Sequence, residues 1–163
     1  MILLCYDGSP DSRSAVDRAG ELMPGEPATV LTVWEPFIEV ITRTGAGMAY
    51  WPDGAELDQI DSAAEQSARA RADEGVEHAR RAGLNPWAHT RARGATIAET
   101  IVSDADEVEA KAIILGTRGL TGLKSLMLGS VSHAVVQHAD RPVIIVPSPE
   151  IAAKRAANRR RAE

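Results

Sequence analysis

A glycine-rich segment in the second half of the chain has residue types and a spacing that suit a bound anion. It reads GTRG at positions 116–119, continues for nine residues, and resumes with GS at positions 129–130. Glycine permits positive φ and leaves no Cβ between the backbone and a ligand, so we expect Gly116 and Gly119 to turn their N–H groups toward one phosphate. Arg118 would add a positive charge beside them, although a surface charge without a ligand is the plainer alternative.

The second half of this motif opens a predicted helix. Unpaired N–H groups and the positive end of the helix dipole favour negative charge at such a position, so we expect Gly129 and Ser130 to bind a phosphate. The Ser130 hydroxyl adds a further donor. A Gly-x-x-Gly pair alone is typical of an ordinary turn, but the spacing and the flanking elements favour a phosphate-binding loop.

The elements that must position this loop alternate between strand and helix. Apolar runs predict five strands, and apolar residues at helical spacing predict four helices, the first with Ser9 as N-cap and Pro10 at its first position. The strands are expected at 2–6, 29–34, 87–92, 112–115 and 143–146, and the helices at 10–23, 56–81, 95–108 and 130–138. This alternation predicts a parallel sheet with right-handed crossovers, in which ligands bind at the carboxyl ends of the strands. The loops after strands one, two and four therefore qualify, and the glycine motif follows strand four.

Two segments fall outside this alternation. Residues 35–55 contain several prolines and glycines without a sustained period and are interpreted as a mobile insertion, since loops this long are usually functional or disordered. The aromatic residues Phe37, Tyr50 and Trp51 of this insertion either fold over a ligand or pack locally. Residues 149–163 form a basic tail after a single domain at 1–148, and we interpret the tail as a solvated helix or a disordered extension rather than a nucleic-acid contact.

Composition and charge exclude several functional classes. The chain has 163 residues, of which 44% are hydrophobic, and this suffices for one packed domain. The net charge of −5 gives no broad attraction to nucleic acid or to an anionic lipid surface. No run of about 18 apolar residues predicts a membrane span. The single cysteine, Cys5, forms no intrachain disulfide and lies in a predicted strand, which favours the cytoplasm, and the scattered histidines predict no protein metal site.

The motif is also specific enough to carry a resemblance. Gly-x-x-Gly, nine residues and Gly-Ser resembles the phosphate-binding motif of the ATP-binding branch of the universal stress protein family. The flanking sequences LGTRG at 115–119, LGSVS at 128–132 and RPVIIVP at 141–147 are similar to that family too. The resemblance spans residues 1–147 and implies a three-layer α/β fold with a doubly wound five-stranded parallel sheet in the order 3-2-1-4-5, of the adenine nucleotide alpha hydrolase-like type. It further implies ATP as the ligand, with Mg²⁺ carried by the nucleotide.

The resemblance also implies roles for individual residues. An acidic residue after strand one contacts the nucleoside in this family, which assigns the ribose or the adenine to Asp7; a cap of the next helix is the alternative. The backbone near the end of strand two meets the adenine edge, which assigns that contact to Val33, and Leu115 would pack on the base. The full nucleotide-binding set expected here is Asp7, Val33, Leu115, Gly116, Arg118, Gly119, Gly129, Ser130 and Val131.

No catalytic group accompanies the motif, because no combination of Ser, His and acid can be assigned to one site. The P-loop pattern does not occur, a receiver domain would need an acidic cluster, and the loop of ATP pyrophosphatases would need a glycine at Ser9. The expected function is an ATP-binding stress-response regulator that acts through nucleotide-dependent conformation or through an unknown protein partner. A slow ATPase and a nucleotide-independent dimeric scaffold are the alternatives. The family resemblance also implies a homodimer through strand 142–146.

Overall fold

Five parallel strands form one sheet at the centre of the molecule. The computed structural model describes residues 1–45, 51–119 and 128–162. The strands are β1 Ile2–Cys5, β2 Pro27–Trp34, β3 Asn85–Ala92, β4 Ile113–Gly116 and β5 Val143–Val146. Every pairing is parallel and the order is β3-β2-β1-β4-β5, so the predicted sheet and its strand order are confirmed.

Helices cover both faces of this sheet. In the described residues they are α1 Pro10–Leu22, α2 Phe37–Thr44, α3 Gly54–Arg81, α4 Ile97–Glu107, α5 Ser130–His138 and α6 Pro149–Ala162. Side chains alternate between the two faces along β1, so Ile2 and Leu4 pack with residues of α1 and α3, whereas Leu3 and Cys5 pack with residues of α4 and α5. The three-layer α/β architecture is therefore confirmed.

Helix α2 was not expected from the sequence. It begins at Phe37 and ends at Gly45, whose φ of 68° lies in the left-handed region that favours glycine. Ile41 is buried, and the backbone N–H of Phe37 donates a hydrogen bond of 2.7 Å to Asp61 of α3. Contact with α3 thus stabilises a helix that is too short and too rich in β-branched residues to be predicted from periodicity. The expectation of no regular structure across 35–55 is wrong for this helix.

The basic tail is also helical. Helix α6 covers Pro149–Ala162, and the side chain of Ile151 in its first turn is buried against the body of the protein. This agrees with the first of the two interpretations of the tail, a helix rather than a disordered extension. Across the described ranges, no helix combines the length and the apolar character needed to cross a membrane.

A buried carboxylate holds α4 against the sheet. The side chain of Asp104 is only 1% exposed, and it accepts a hydrogen bond of 2.7 Å from Nε of Arg91 on β3. Nδ1 of His89 lies 3.2 Å from the same carboxylate oxygen. A buried charge is costly unless it is paired, so this ion pair fixes the position of α4 and, with it, of Ile97 and Ile101.

The helices that follow β1, β3 and β4 begin at the carboxyl edge of the sheet. Ser9 caps α1 by accepting a hydrogen bond from the N–H of Ser12, and Thr96 caps α4 by accepting one from the N–H of Glu99. Gly129 precedes α5. The predicted cap at Ser9 is confirmed. The positive ends of three helix dipoles make this edge of the sheet favourable for an anion.

Candidate functional site

A cavity opens at the carboxyl edge of the sheet, between β1 and β4. The chain leaves β1 for α1 on one face and leaves β4 for α5 on the other, so the cavity lies where the strand order reverses. Its volume is about 170 Å³. It is lined by Cys5, Tyr6, Asp7, Ser12, Leu31, Val33, Ile97, Ile101, Leu115, Gly116, Arg118, Gly119, Val131 and Ser132.

Most of the residues expected to bind a nucleotide meet at this cavity. Those that line it are Asp7, Val33, Leu115, Gly116, Arg118, Gly119 and Val131. Gly129 and Ser130 are at the start of α5, immediately before Val131, and do not line it. Phe37 and Trp51 do not line it either, and Tyr50 lies outside the described residues, so the ligand-covering hypothesis for these aromatic residues gains no support.

Sequence reasoning missed part of the apolar wall. Leu31, Ile97 and Ile101 line the cavity, and so does Cys5, which was expected in the core. Alternation along β2 puts Leu31 on the same face as Val33, and helical spacing puts Ile101 one turn after Ile97. These two periodicities are the sequence signals that could have identified Leu31 and Ile101 as lining residues. The other lining residues that were missed are Tyr6, Ser12 and Ser132.

Glycine is required at position 116 because helix α1 lies close to it, not because of the backbone conformation of Gly116 itself. Its φ is outside the left-handed region, so the freedom of glycine to adopt positive φ is not used at this position. A Cβ on Gly116 would lie 2.7 Å from the backbone carbonyl carbon of Asp11 and 2.9 Å from the backbone nitrogen of Ser12. The glycine therefore allows β4 to contact the first turn of α1.

Gly119 allows a carboxylate to approach the glycine motif. Its φ is also outside the left-handed region, and a Cβ at this position would lie 2.5 Å from Oδ2 of Asp7. The other carboxylate oxygen, Oδ1, accepts a hydrogen bond of 2.9 Å from the N–H of Ser9, the cap residue of α1. Asp7 thus binds the residue that caps α1 rather than capping the helix itself, and it also lines the cavity.

Arg118 is partly buried rather than a plain surface charge. Its side chain is 15% exposed, and its Nε lies 3.8 Å from Oδ2 of Asp11. The same oxygen accepts a hydrogen bond of 2.6 Å from the hydroxyl of Thr117. Asp11 therefore joins α1 to the glycine motif through two consecutive residues, a role that sequence reasoning did not identify.

The start of α5 provides fewer donors than expected. The N–H of Gly129 donates a hydrogen bond of 2.8 Å to the carbonyl of Thr117, so it is not available to a phosphate. The Ser132 hydroxyl donates one of 2.8 Å to the carbonyl of Gly116. The backbone N–H groups of Ser130, Val131 and Ser132 belong to the first turn, which an α-helix leaves without intrahelical acceptors. Anion binding at this helix therefore depends on these three amides.

The thiol of Cys5 can report whether the cavity is occupied. It is the one cysteine of the chain, and it lines the cavity. Burial raises the pKa of this thiol well above its usual range, and the carboxylates of Asp104 and Asp7 raise it further. The thiol therefore stays protonated near neutral pH and reacts slowly with alkylating reagents. A ligand in the cavity would cover the thiol and slow its alkylation further.

The sequence is similar to proteins of one family over most of its length. The sequence profile of the universal stress protein family matches residues 1–147. Universal stress protein YxiE of Bacillus subtilis is 33% identical over 147 residues, which are 89% of this chain and 97% of that protein.

Solved structures share the fold. Protein MJ0577 of Methanocaldococcus jannaschii matches with a TM-score of 0.70 and 20% identity, over 90% of this chain and 94% of that chain. The universal stress protein of Archaeoglobus fulgidus, solved in complex with dAMP, matches with a TM-score of 0.61 and 25% identity, over 89% of this chain and 95% of that chain. Together with the strand order, these matches confirm the adenine nucleotide alpha hydrolase-like fold.

Proposed function

The chain belongs to the universal stress protein family, and on that basis we propose that it is a stress-response regulator that binds ATP in the cavity between β1 and β4. The observation that carries the proposal is that one cavity combines an apolar wall with a polar end formed by Asp7, Gly119 and the start of α5. An adenine nucleotide needs both, because its base is flat and largely apolar whereas its phosphates are anionic. The relative from Archaeoglobus fulgidus was solved in complex with such a nucleotide, dAMP.

The lining residues suggest how the nucleotide is oriented. The base packs on Leu115 and lies beside the backbone of Val33, with Ile101 of α4 completing the apolar wall. The ribose hydroxyls donate to the carboxylate of Asp7. The phosphates extend over Gly119 toward the first turn of α5, where backbone amides and the helix dipole favour negative charge.

The start of α5 fits a phosphate chain at the polar end. The missing side chain of Gly119 instead makes room for the Asp7 carboxylate, because a Cβ there would lie 2.5 Å from Oδ2. The first-turn amides of α5 supply donors. Within the described ranges no cluster of three or more His, Cys, Asp and Glu residues could hold a metal ion, so we assign Mg²⁺ to the nucleotide's own phosphates.

The proposed role is regulation through binding rather than turnover. Asp7 is the one carboxylate among the described lining residues, and the proposal assigns it to the ribose rather than to the activation of water. Occupancy of the cavity would instead change the conformation that a protein partner recognises. We place this role in the cytoplasm, in keeping with a single cysteine that forms no intrachain disulfide.

The test is ligand-dependent stabilisation. ATP with Mg²⁺ at 100 times its dissociation constant should raise the free energy of unfolding by about 2.7 kcal/mol and slow the alkylation of Cys5. In Gly119→Ala the new methyl group displaces the Asp7 carboxylate, so we expect about tenfold weaker binding. At the same ATP concentration the stabilisation should then fall to about 1.4 kcal/mol. Thermal unfolding and the rate of iodoacetamide labelling measure the two effects.

Gly54→Ala is the matched control for this variant. A Cβ at Gly54 would meet no heavy atom within 4 Å, and the residue opens α3 away from the cavity lining. Its stabilisation by ATP should equal that of the wild-type protein. If ATP, ADP, AMP and dAMP all leave the unfolding temperature and the labelling of Cys5 unchanged, the proposed function is wrong.

We also propose that the protein is a homodimer in which residues 142–146 of two copies meet. Strand β5 is an edge of the sheet, and its apolar residues Val143, Ile144 and Ile145 are only partly buried in one chain. An edge of this kind is stabilised when it is covered. Light scattering at micromolar concentration should give twice the mass of 17.4 kDa. A strictly monomeric mass would remove this part of the proposal.

A further inference from the structure

Asp11 contacts both Thr117 and Arg118 at the polar end of the cavity, although it does not line the cavity itself. It is 5% exposed and lies in the first turn of α1. Its Oδ2 accepts the hydroxyl of Thr117 at 2.6 Å and lies 3.8 Å from Nε of Arg118. Its backbone is also the contact that requires glycine at position 116.

The partner of Asp11, Arg118, is the one cationic residue among the described residues that line the cavity. Arg118 carries five N–H donors in a planar group, a geometry suited to phosphate as well as to carboxylate. Its side chain is only 15% exposed, so water screens its charge weakly. A carboxylate and a phosphate near this guanidinium therefore compete for the same positive charge.

We propose that Asp11 is a positioning residue that sets the affinity for phosphate-bearing ligands by holding Arg118, which a bound phosphate must share or take over. This inference rests on the proposed function. It concerns the phosphates alone, because Asp11 is not among the residues that line the apolar wall. Ligands that lack a phosphate should therefore be insensitive to Asp11.

Removing the charge of Asp11 should strengthen nucleotide binding. Asp11→Asn keeps an oxygen acceptor for the Thr117 hydroxyl and releases Arg118 from its carboxylate. We expect the dissociation constants of ATP and AMP to fall about tenfold, and that of adenosine to stay unchanged. Isothermal titration measures the constants, and protection of Cys5 from iodoacetamide gives a second readout. Asp11→Ser, which also suits a helix N-terminus, answers the same question if the Asn variant does not fold.

Two further variants separate this effect from general electrostatics. Asp17→Asn removes the same charge from the same helix, but Asp17 is exposed and pairs with His78 away from the cavity lining. It should leave ATP binding as in the wild-type protein. In an Arg118→Met background, Asp11→Asn should no longer improve ATP binding, because the group that it releases is absent.

The outcomes distinguish this inference from the proposed function. Failure of the wild-type protein to bind any adenine nucleotide would overturn both. Normal binding by the wild-type protein with unchanged or weaker ATP binding by Asp11→Asn would overturn the inference alone. The same holds if adenosine binding improves as much as ATP binding, or if the improvement persists in Arg118→Met.

Discussion

The Gly116→Ala variant should unfold roughly 6 to 12 °C below the wild-type protein, which corresponds to a loss of about 3 kcal/mol in the free energy of unfolding. The reason is that the added Cβ would lie 2.7 Å from the carbonyl carbon of Asp11 and 2.9 Å from the backbone nitrogen of Ser12. These are backbone atoms of a capped helix turn and have no side-chain rotation to relieve the contact. Helix α1 and strand β4 must therefore move apart. Thermal unfolding followed by circular dichroism measures the shift.

Gly119→Ala serves as the internal comparison, because it adds the same methyl group to the other glycine of the pair. The atom that it crowds is a carboxylate oxygen of Asp7, which can rotate away. We expect an unfolding temperature near that of the wild-type protein, together with the weaker nucleotide binding described above. Equal unfolding temperatures for Gly116→Ala and Gly119→Ala would show that α1 yields without cost, and the explanation given for Gly116 would be wrong.

Arg91→Met should lower the free energy of unfolding by about 3 to 5 kcal/mol. Methionine preserves the apolar stem of the side chain but removes the cation from a carboxylate, that of Asp104, whose side chain is 1% exposed. His89 would be the remaining partner, and Oδ2 of Asp104 has no hydrogen-bond partner among the described residues even with Arg91 present. Removing one member of a buried ion pair leaves an uncompensated charge. Urea unfolding measures the change.

Glu107→Gln is the matched control for this ion pair. Glu107 also pairs with Arg91, and the guanidinium holds the pKa of its carboxyl below the usual range, but Glu107 is exposed and its charge is screened by water. We expect a much smaller loss of stability in Glu107→Gln than in Arg91→Met. If both variants lost the same amount, burial of Asp104 would not be the source of the effect. A loss in Arg91→Met should also loosen α4, and with it Ile97 and Ile101 of the cavity wall.

The elements of the fold could be predicted because their signals are local. Buried parallel strands read as continuous apolar runs, and residues 143–146 were predicted with the bounds that the structure shows. Ser9 and Pro10 marked the start of α1 by the chemistry of two adjacent residues. Helix α2 lacked such a signal, because its stability comes from α3 rather than from its own eight residues.

The internal connections of the site could not be predicted, because they join distant positions. The hydrogen bond between Thr117 and Asp11 spans 106 residues of sequence, and the crowding at Gly116 comes from the same turn of α1. No periodicity relates such positions. Sequence reasoning therefore gave Gly116 a ligand-facing role, whereas the structure shows that glycine at this position allows β4 to pass close to α1.

The hydrogen bond of 2.8 Å between the N–H of Gly129 and the carbonyl of Thr117 joins the two halves of the glycine motif. Thr117 is held by Asp11 of α1, and Gly129 lies at the start of α5. The number of residues between them therefore has little effect on the sheet. Lengthening such a closed segment is entropically cheap, at about 0.6 kcal/mol for each doubling. The sheet therefore does not require an interval of nine residues in the motif, and relatives with a different interval are expected to keep the same sheet.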